Sequence, residues 1–382
     1  MPTRISDLPE YTTITASAFV PIVDVNELVS SKNKKIRIDD LRKYFFTGTT
    51  TSSSFSKHTP GLYYFGDNSD GPLNLTGSIT NIRTFVSRSF ASTQDGVPVV
   101  KNFSSLFISR SVVVSPTLRC RGMLIFVDGD ATISGSLRMT GRGASAVGAD
   151  ASFTTINPPY LGDYWSTQLF PSASYLSRVF AVGAAAGATV GPTSSTSIAG
   201  NPGLAGVFGR SGGGGSGTAF PGSGVSTVGS AGTSFSGGSG GGGSHPASGG
   251  TSAAANGGAG GNGSGSGGGG AGNPNGTGGT AVGEGTGGLL ILIVRGNLRI
   301  GPNGSIAVNG ITGNTAPGPS GGGGGGSGGG ILYVYYGGTL TNNGTVTSNG
   351  GSGGSAITVT SGAGGAGTAI ISKLNVAFPA GN

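Results

Sequence analysis

Charge is scarce in this chain. Asp, Glu, Lys and Arg together make up 9% of its 382 residues, against roughly 25% in ordinary soluble domains. Charge-driven disorder is therefore not the natural reading, because disordered segments are usually rich in charge and proline. The balance is +7, but the bases are scattered and mixed with acids. No basic run of the kind that grips nucleic acid is present, and a nucleic-acid partner is not expected. Cysteine is limited to Cys120, which excludes an intrachain disulfide; the default for a lone thiol in LRCRG is a buried or half-buried strand residue. Long apolar runs are missing too. Leu289–Val294 is the longest strongly apolar run, far too short to cross a bilayer, so membrane insertion is not expected. The first residues, MPTRISDLPEYT, hold no apolar core of a secretion signal, which implies synthesis in a cytoplasm.

The residues that usually carry chemistry are equally thin. The two histidines, His58 and His245, have no Ser, Asp or Cys partner at a recognisable spacing, so a nucleophilic triad is not expected. No Cys/His cluster has metal-ligand spacing. Asp128 and Asp130 stand two apart on a turn; a glycan hydrolase would need such a pair, but turn acids beside glycine are the simpler account. Asp67, Asn68 and Asp70 before Gly71 look like half a calcium loop without its closing Glu. No catalytic, cofactor-binding or metal-binding residue is assigned, no cofactor is expected, and the chain is read as a non-enzyme.

Glycine is what the chain has: 82 residues, about three times the usual share. A repeated strand phrase accompanies it. Phe126–Gly141 reads FVDGDATISGSLRMTG, Ile293–Gly310 reads IVRGNLRIGPNGSIAVNG, and Tyr333–Gly350 reads YVYYGGTLTNNGTVTSNG. Each is an apolar strand, a glycine turn, a short alternating strand, a second turn at Gly135, Gly304 or Gly344, and another alternating strand. After each, the sequence dissolves into glycine. The fold class expected is mainly β: short stacked strands, solenoid-like or sandwich-like, with an inserted glycine-rich region of polyglycine-II type and a small N-terminal docking segment.

Five regions follow. Residues 1–46 form the docking segment, with apolar strand residues in Ala18–Val25 (Phe19 and Val20 among them), a basic turn at Lys32–Lys35 and a strand at Ile36–Ile38. Asp39–Phe46 spaces Leu41, Tyr44 and Phe45 at i, i+3, i+4, a one-sided stripe on a short helix. So little sequence buries little area alone, which makes Phe19, Val20, Leu41, Tyr44 and Phe45 the docking candidates. Residues 47–59 are a Thr/Ser linker. Residues 60–142 are a first β module, with short strands at Leu106–Ile108, Val112–Val114 and Leu118–Cys120. Residues 143–288 are the large glycine-rich insertion, and 289–382 a C-terminal β module with two smaller excursions and a last strand near Ala369–Ser372.

Several states compete for the glycine runs. Collagen fails, because the glycines are consecutive rather than every third residue. A slack linker this long inside one repeat would be unusual, and silk-like β stacking is a further alternative. The expectation is left-handed extended helices packed side by side, whose outward N–H and C=O groups bond to neighbours.

SDGPLNLTG, the phrase LIFVDGDATISGSLRMTGRG and the following polyglycine resemble glycine-rich bacteriophage tail-fibre and adhesin proteins, and ISDLP…FVPIVD…KKIRIDDLRKYF is similar to segments that begin many phage appendages. The resemblance implies a homotrimeric virion fibre docked to other virion proteins through its N-terminus. Gly212–Gly288 and Gly321–Gly330 would form a rigid bundle, and the linking segments would touch a host surface glycan or outer-membrane protein. Tail versus head or collar mounting stays open, as do a structural virion part without receptor binding and a tailspike depolymerase. In the insertion, NPPYLGDYW sets Tyr160, Tyr164 and Trp165 beside fixed turns. These are the receptor-contact candidates, and a mini-core anchoring the insertion is the plainer account of the same rings. Tyr333, Tyr335 and Tyr336 are expected to leave one face toward solvent or a neighbouring subunit.

Overall fold

The computed structural model describes residues 19–22, 34–37, 65–66, 68–76, 86–144, 185–188, 199–206, 211–219, 226, 229–233, 236–244, 285–316, 321–355 and 359–374. The chain divides into two units, Met1–Leu62 and Tyr63–Asn382. In the first, β1 (Phe19–Ile22) pairs antiparallel with β2 (Lys34–Arg37), Phe19 opposite Arg37 and Val20 opposite Ile36. The strand expected at Ile36–Ile38 thus begins two residues earlier, within the basic stretch. Leu41, Tyr44, Phe45 and the expected helix lie outside the described residues.

The second unit is built of rungs, each with three strands. The first rung holds β3 (Pro72–Leu75), β4 (Val86–Phe90) and β5 (Val99–Phe103). The second holds β6 (Ser105–Ile108), β7 (Val112–Pro116) and β8 (Met123–Val127). In the third are β9 (Ala131–Ile133), β10 (Ser136–Arg138) and β11 (Leu289–Val294); in the fourth, β12 (Leu298–Ile300), β13 (Ser305–Ala307) and β14 (Ile331–Tyr336). The fifth has β15 (Leu340–Asn342), β16 (Thr345–Thr347) and β17 (Thr368–Lys373). Strands at the same place in successive rungs pair in parallel and form three five-stranded sheets: β3-β6-β9-β12-β15, β4-β7-β10-β13-β16 and β5-β8-β11-β14-β17. We call these the first, second and third sheets. The arrangement is β-solenoid-like, which decides between the two stacked architectures that the repeated phrase left open. Each phrase is a third-sheet strand followed by the first- and second-sheet strands of the next rung.

Alternation explains the core. Inward residues from the three sheets, Leu106, Ile108, Val112, Val114, Ile125, Ile133, Leu137, Leu292, Leu298, Ile306 and Val334 among them, form one buried cluster. Residues between them point outward. The third sheet departs from this: β11 is buried at every position and β14 at all but its last. Its outward tyrosines, Tyr333 and Tyr335, stack with centroids 5.9 Å apart and are buried within the single chain. The face expected to meet solvent or a neighbouring subunit is therefore covered, and Tyr336, on the inward side, is half-buried against the core.

The residues of both expected β modules enter the same sheets; β8 of residues 60–142 pairs with β11 of residues 289–382, Met123 opposite Leu290. Leu118–Cys120 is a corner, not a strand. Cys120 makes isolated parallel bridges to Gly96 and Gly143, and Arg119 turns to Asp95, Nε to Oδ1 at 2.9 Å and Nη2 to Oδ2 at 3.1 Å. The alternating neighbours imitate a strand because the corner stacks in register like one.

The terminal rungs carry charge where inner rungs carry core. By the pairing registers, Arg88 and Lys101 stand over inward Val114 and Ile125, and Lys373 stands beside Tyr336. Inward charge on an edge strand discourages another strand from pairing there. Lys101 is held by Asp70, Nζ to Oδ1 at 2.7 Å.

Leu292 is fully buried in the middle rung, so Leu292→Ala is expected to cost about 2–5 kcal/mol. Urea or thermal unfolding of the full chain checks this. Cys120 is buried and donates from Sγ to the Gly122 carbonyl at 3.3 Å. Burial is the main influence and pushes its thiol above the ordinary value. A thiol reagent at neutral pH should leave the folded protein unlabelled and label it stoichiometrically in denaturant.

Candidate recognition surface

The glycine excursions leave from one corner. In the first two rungs, the passage from second to third sheet is short, residues 91–98 and 117–122. In the next three it becomes 139–288, 308–330 and 348–367. All three long excursions therefore depart from second-sheet strands stacked on one another and return into stacked third-sheet strands. The departure points are tied by a polar ladder: the Asn309 amide donates to Thr140 Oγ1 at 3.1 Å, and the Asn349 amide to Asn309 Oδ1 at 2.8 Å.

Beyond the corner the excursions interleave. The amides of Gly212, Gly215 and Thr218 donate to the carbonyls of Gly329, Gly326 and Gly323 at 2.9, 2.9 and 3.0 Å. Those of Gly328, Gly325 and Gly322 donate to Gly238, Gly241 and Ser244 at 2.7, 2.7 and 2.8 Å. Gly238, Gly241 and Ser244 then donate to Gly212, Gly215 and Thr218 at 2.9, 2.9 and 3.0 Å, closing a ring of three segments. In every case the bonds recur at each third residue. The segment 321–330 shows the rule most fully. One phase of its amides goes to 238–244; a second (Gly324, Ser327, Gly330) goes to Asn314, Ile311 and Val308; a third (Gly326, Gly329) goes to Gly362 and Gly365. This segment is buried throughout, as are 211–219 and 236–244.

Glycine is required here by contact. A Cβ on Gly325 would meet the Gly215 carbonyl oxygen, and one on Gly240 the Gly325 carbonyl oxygen. Buried serines use their hydroxyls: Ser348 Oγ donates to the Gly330 carbonyl at 2.6 Å and Ser211 Oγ to the Thr233 carbonyl at 2.6 Å. On the outer layer every third residue is exposed and small: Thr312 and Thr315, Ser352 and Ser355, Ala363 and Ala366.

The layer is wider than expected. Residues 308–316, 348–355 and 361–367 join it beside 211–219, 236–244 and 321–330, and residues 199–206 add a further edge, with Gly203 donating to Ala363 at 2.9 Å. These segments hold Thr, Ala and Asn as well as glycine, and a few larger residues (Val308, Ile311, Leu204), so composition alone did not single them out. Tyr160, Tyr164 and Trp165 lie outside the described residues.

The acids considered for chemistry have other tasks. Asp128 accepts from Asn68 Nδ2 at 2.8 Å and pairs with Arg295 at 3.2 Å. Asp130 Oδ1 accepts from the Asn297 amide at 2.6 Å, and Asn297 Oδ1 accepts from Thr339 at 2.9 Å, a second ladder at another corner. Asp70 Oδ2 accepts from the Asn102 amide at 2.7 Å. Among the described residues, no group of three His, Cys, Asp or Glu could hold a metal ion, and no helix is long and apolar enough to cross a membrane. No family model, no curated protein and no solved structure matches this chain.

Gly325→Ala places a methyl group against backbone in the buried layer, whereas Ser352→Ala removes only an exposed hydroxyl. The first is expected to destabilise the layer by about 1–3 kcal/mol and to open it to limited proteolysis. The second should cut no faster than the parent.

Proposed function

We propose that this chain is a bacteriophage virion appendage, a tail-fibre protein that attaches the particle to a host cell surface by non-covalent contacts. The N-terminal segment docks it to other virion proteins, the solenoid is its shaft, and the glycine layer is a stiff body carried to one side. We read that layer as polyglycine-II-type helices: three residues per turn, no internal bonds, amides directed outward in three directions. The observation that carries the reading is the three-way division of amides along residues 321–330. A slack linker has no reason to sort its amides by phase, and a β-sheet would alternate them in two directions. Three copies per appendage would add avidity to weak individual sites. The rival reading, a structural virion part without a receptor, rests on the same layer serving as filler.

Purified full-length chain should adsorb to host cells saturably and protect them from infection in proportion to occupancy. Particles carrying Leu41→Ala with Tyr44→Ala should lose the protein and adsorb poorly. Normal adsorption of particles lacking the chain, with no protection by the purified protein, would overturn the attachment reading and favour the structural one.

A further inference from the structure

The outer face of the first sheet carries a column that neither the solenoid core nor the glycine layer uses. Pairing registers place Asn74 opposite Phe107, Phe107 opposite Thr132, Thr132 opposite Arg299 and Arg299 opposite Thr341. Their neighbours along each strand, Leu73, Leu106, Ile133, Leu298 and Ile300, belong to the core or pack against it, so the column points outward. Successive strands are about 4.8 Å apart, which sets Arg299 roughly 10 Å from Phe107 and makes the column about 19 Å long.

Two of these residues are anomalous. Phe107 is 38% exposed and is the one exposed aromatic ring among the described residues of the solenoid. Every other ring there is buried or half-buried. Arg299 is exposed and makes no ion pair among the described residues. Arg110, exposed at the corner after β6, is likewise without an ion pair among them. Amides and hydroxyls dominate the surroundings of Phe107 and Arg299: Asn74, Thr132 and Thr341 in the column, Thr76, Ser109 and Ser134 on one side of it, and Ser105 on the other beside the exposed carboxylate of Asp130. The acid nearest along the chain to this face, Asp130, is engaged at the corner by the Asn297 amide.

A flat ring amid hydroxyl and amide groups suits the apolar face of a sugar, since the ring stacks on C–H groups while its neighbours meet the ring hydroxyls. A guanidinium two strands away suits a planar carboxylate, which it can bind through two parallel N–H···O bonds. A protein partner would be expected to need a larger apolar centre than one ring. We infer that the outer face of the first sheet binds an extended carboxylated polysaccharide laid across the strands, with Phe107 under one sugar and Arg299 on the carboxylate of a neighbouring one. This deepens the attachment reading and rests on it for its biological setting, but the binding itself can be tested alone.

Full-length protein is titrated with alginate and with polysialic acid, and with dextran of matched length as the neutral control. Alginate or polysialic acid should bind and dextran should not, with affinity falling as salt rises. Phe107→Ala and Arg299→Gln should each weaken binding about tenfold while leaving the melting temperature unchanged, and Phe107→Tyr should retain it. Arg138→Gln removes the same charge from the outer face of the second sheet and should bind like the parent. Failure of both acidic polymers to bind, equal loss in Arg138→Gln, or unaltered affinity in Phe107→Ala and Arg299→Gln would each overturn the site. If the full chain still coats host cells under any of those outcomes, this site is lost while attachment stands. Loss of cell binding itself would remove the attachment reading instead.

Discussion

A buried backbone amide must find an acceptor, and in the glycine layer that is a carbonyl of a neighbouring segment or, at a few positions, a serine or threonine hydroxyl such as Ser327 Oγ, which accepts from the Ile311 amide at 2.9 Å. The described part of the second unit is arranged around that requirement. An apolar core can tolerate small slips because its contacts are non-directional. A core made of peptide groups cannot, because each buried N–H left unmatched costs on the order of 1–3 kcal/mol. Polyglycine also has more conformational freedom to lose than any other sequence. The layer therefore needs many bonds made at once, and it needs its register supplied from outside.

The solenoid supplies that register. Departure strands β10, β13 and β16 are stacked by parallel pairing, and so are return strands β11, β14 and β17. Each glycine excursion is held at both ends at a spacing fixed by the sheets, and the Thr140–Asn309–Asn349 ladder fixes the exits. Return segments pass straight into the third sheet: the Ile331 amide donates to Gly288 at 3.0 Å and the Thr368 amide to Gly330 at 3.2 Å. Sheet and glycine layer are one hydrogen-bonded continuum, with the change in side-chain size marking where one becomes the other.

Much of this was legible in the sequence, for identifiable reasons. The phrase that recurs at Phe126, Ile293 and Tyr333 carries the strand period, the corner glycines and the points of departure, so stacked strands could be read directly. The second rung was harder. Its corner at Leu118–Cys120 alternates like a strand, and what marks it as a corner, the isolated bridges of Cys120 and the Arg119–Asp95 pair 24 residues apart, lies in contacts distant in sequence. Which excursion lies beside which was not legible at all. A glycine run has no side-chain pattern to encode register, so the neighbours of Gly325 follow from the rungs that hold its ends. The Phe107–Arg299 column was hidden for a similar reason: its members come from different rungs, and only the parallel registers bring them together.

The described glycine segments form one hydrogen-bonded lattice held by the solenoid. Amide hydrogen exchange on the intact protein reads out that order residue by residue. Slow exchange is predicted for Gly212, Gly215, Gly238, Gly241, Gly325 and Gly328, comparable to the buried strands β11 and β14. Exchange at the rate of an unstructured peptide across those six amides, with β11 and β14 still protected, would mean that the lattice does not form.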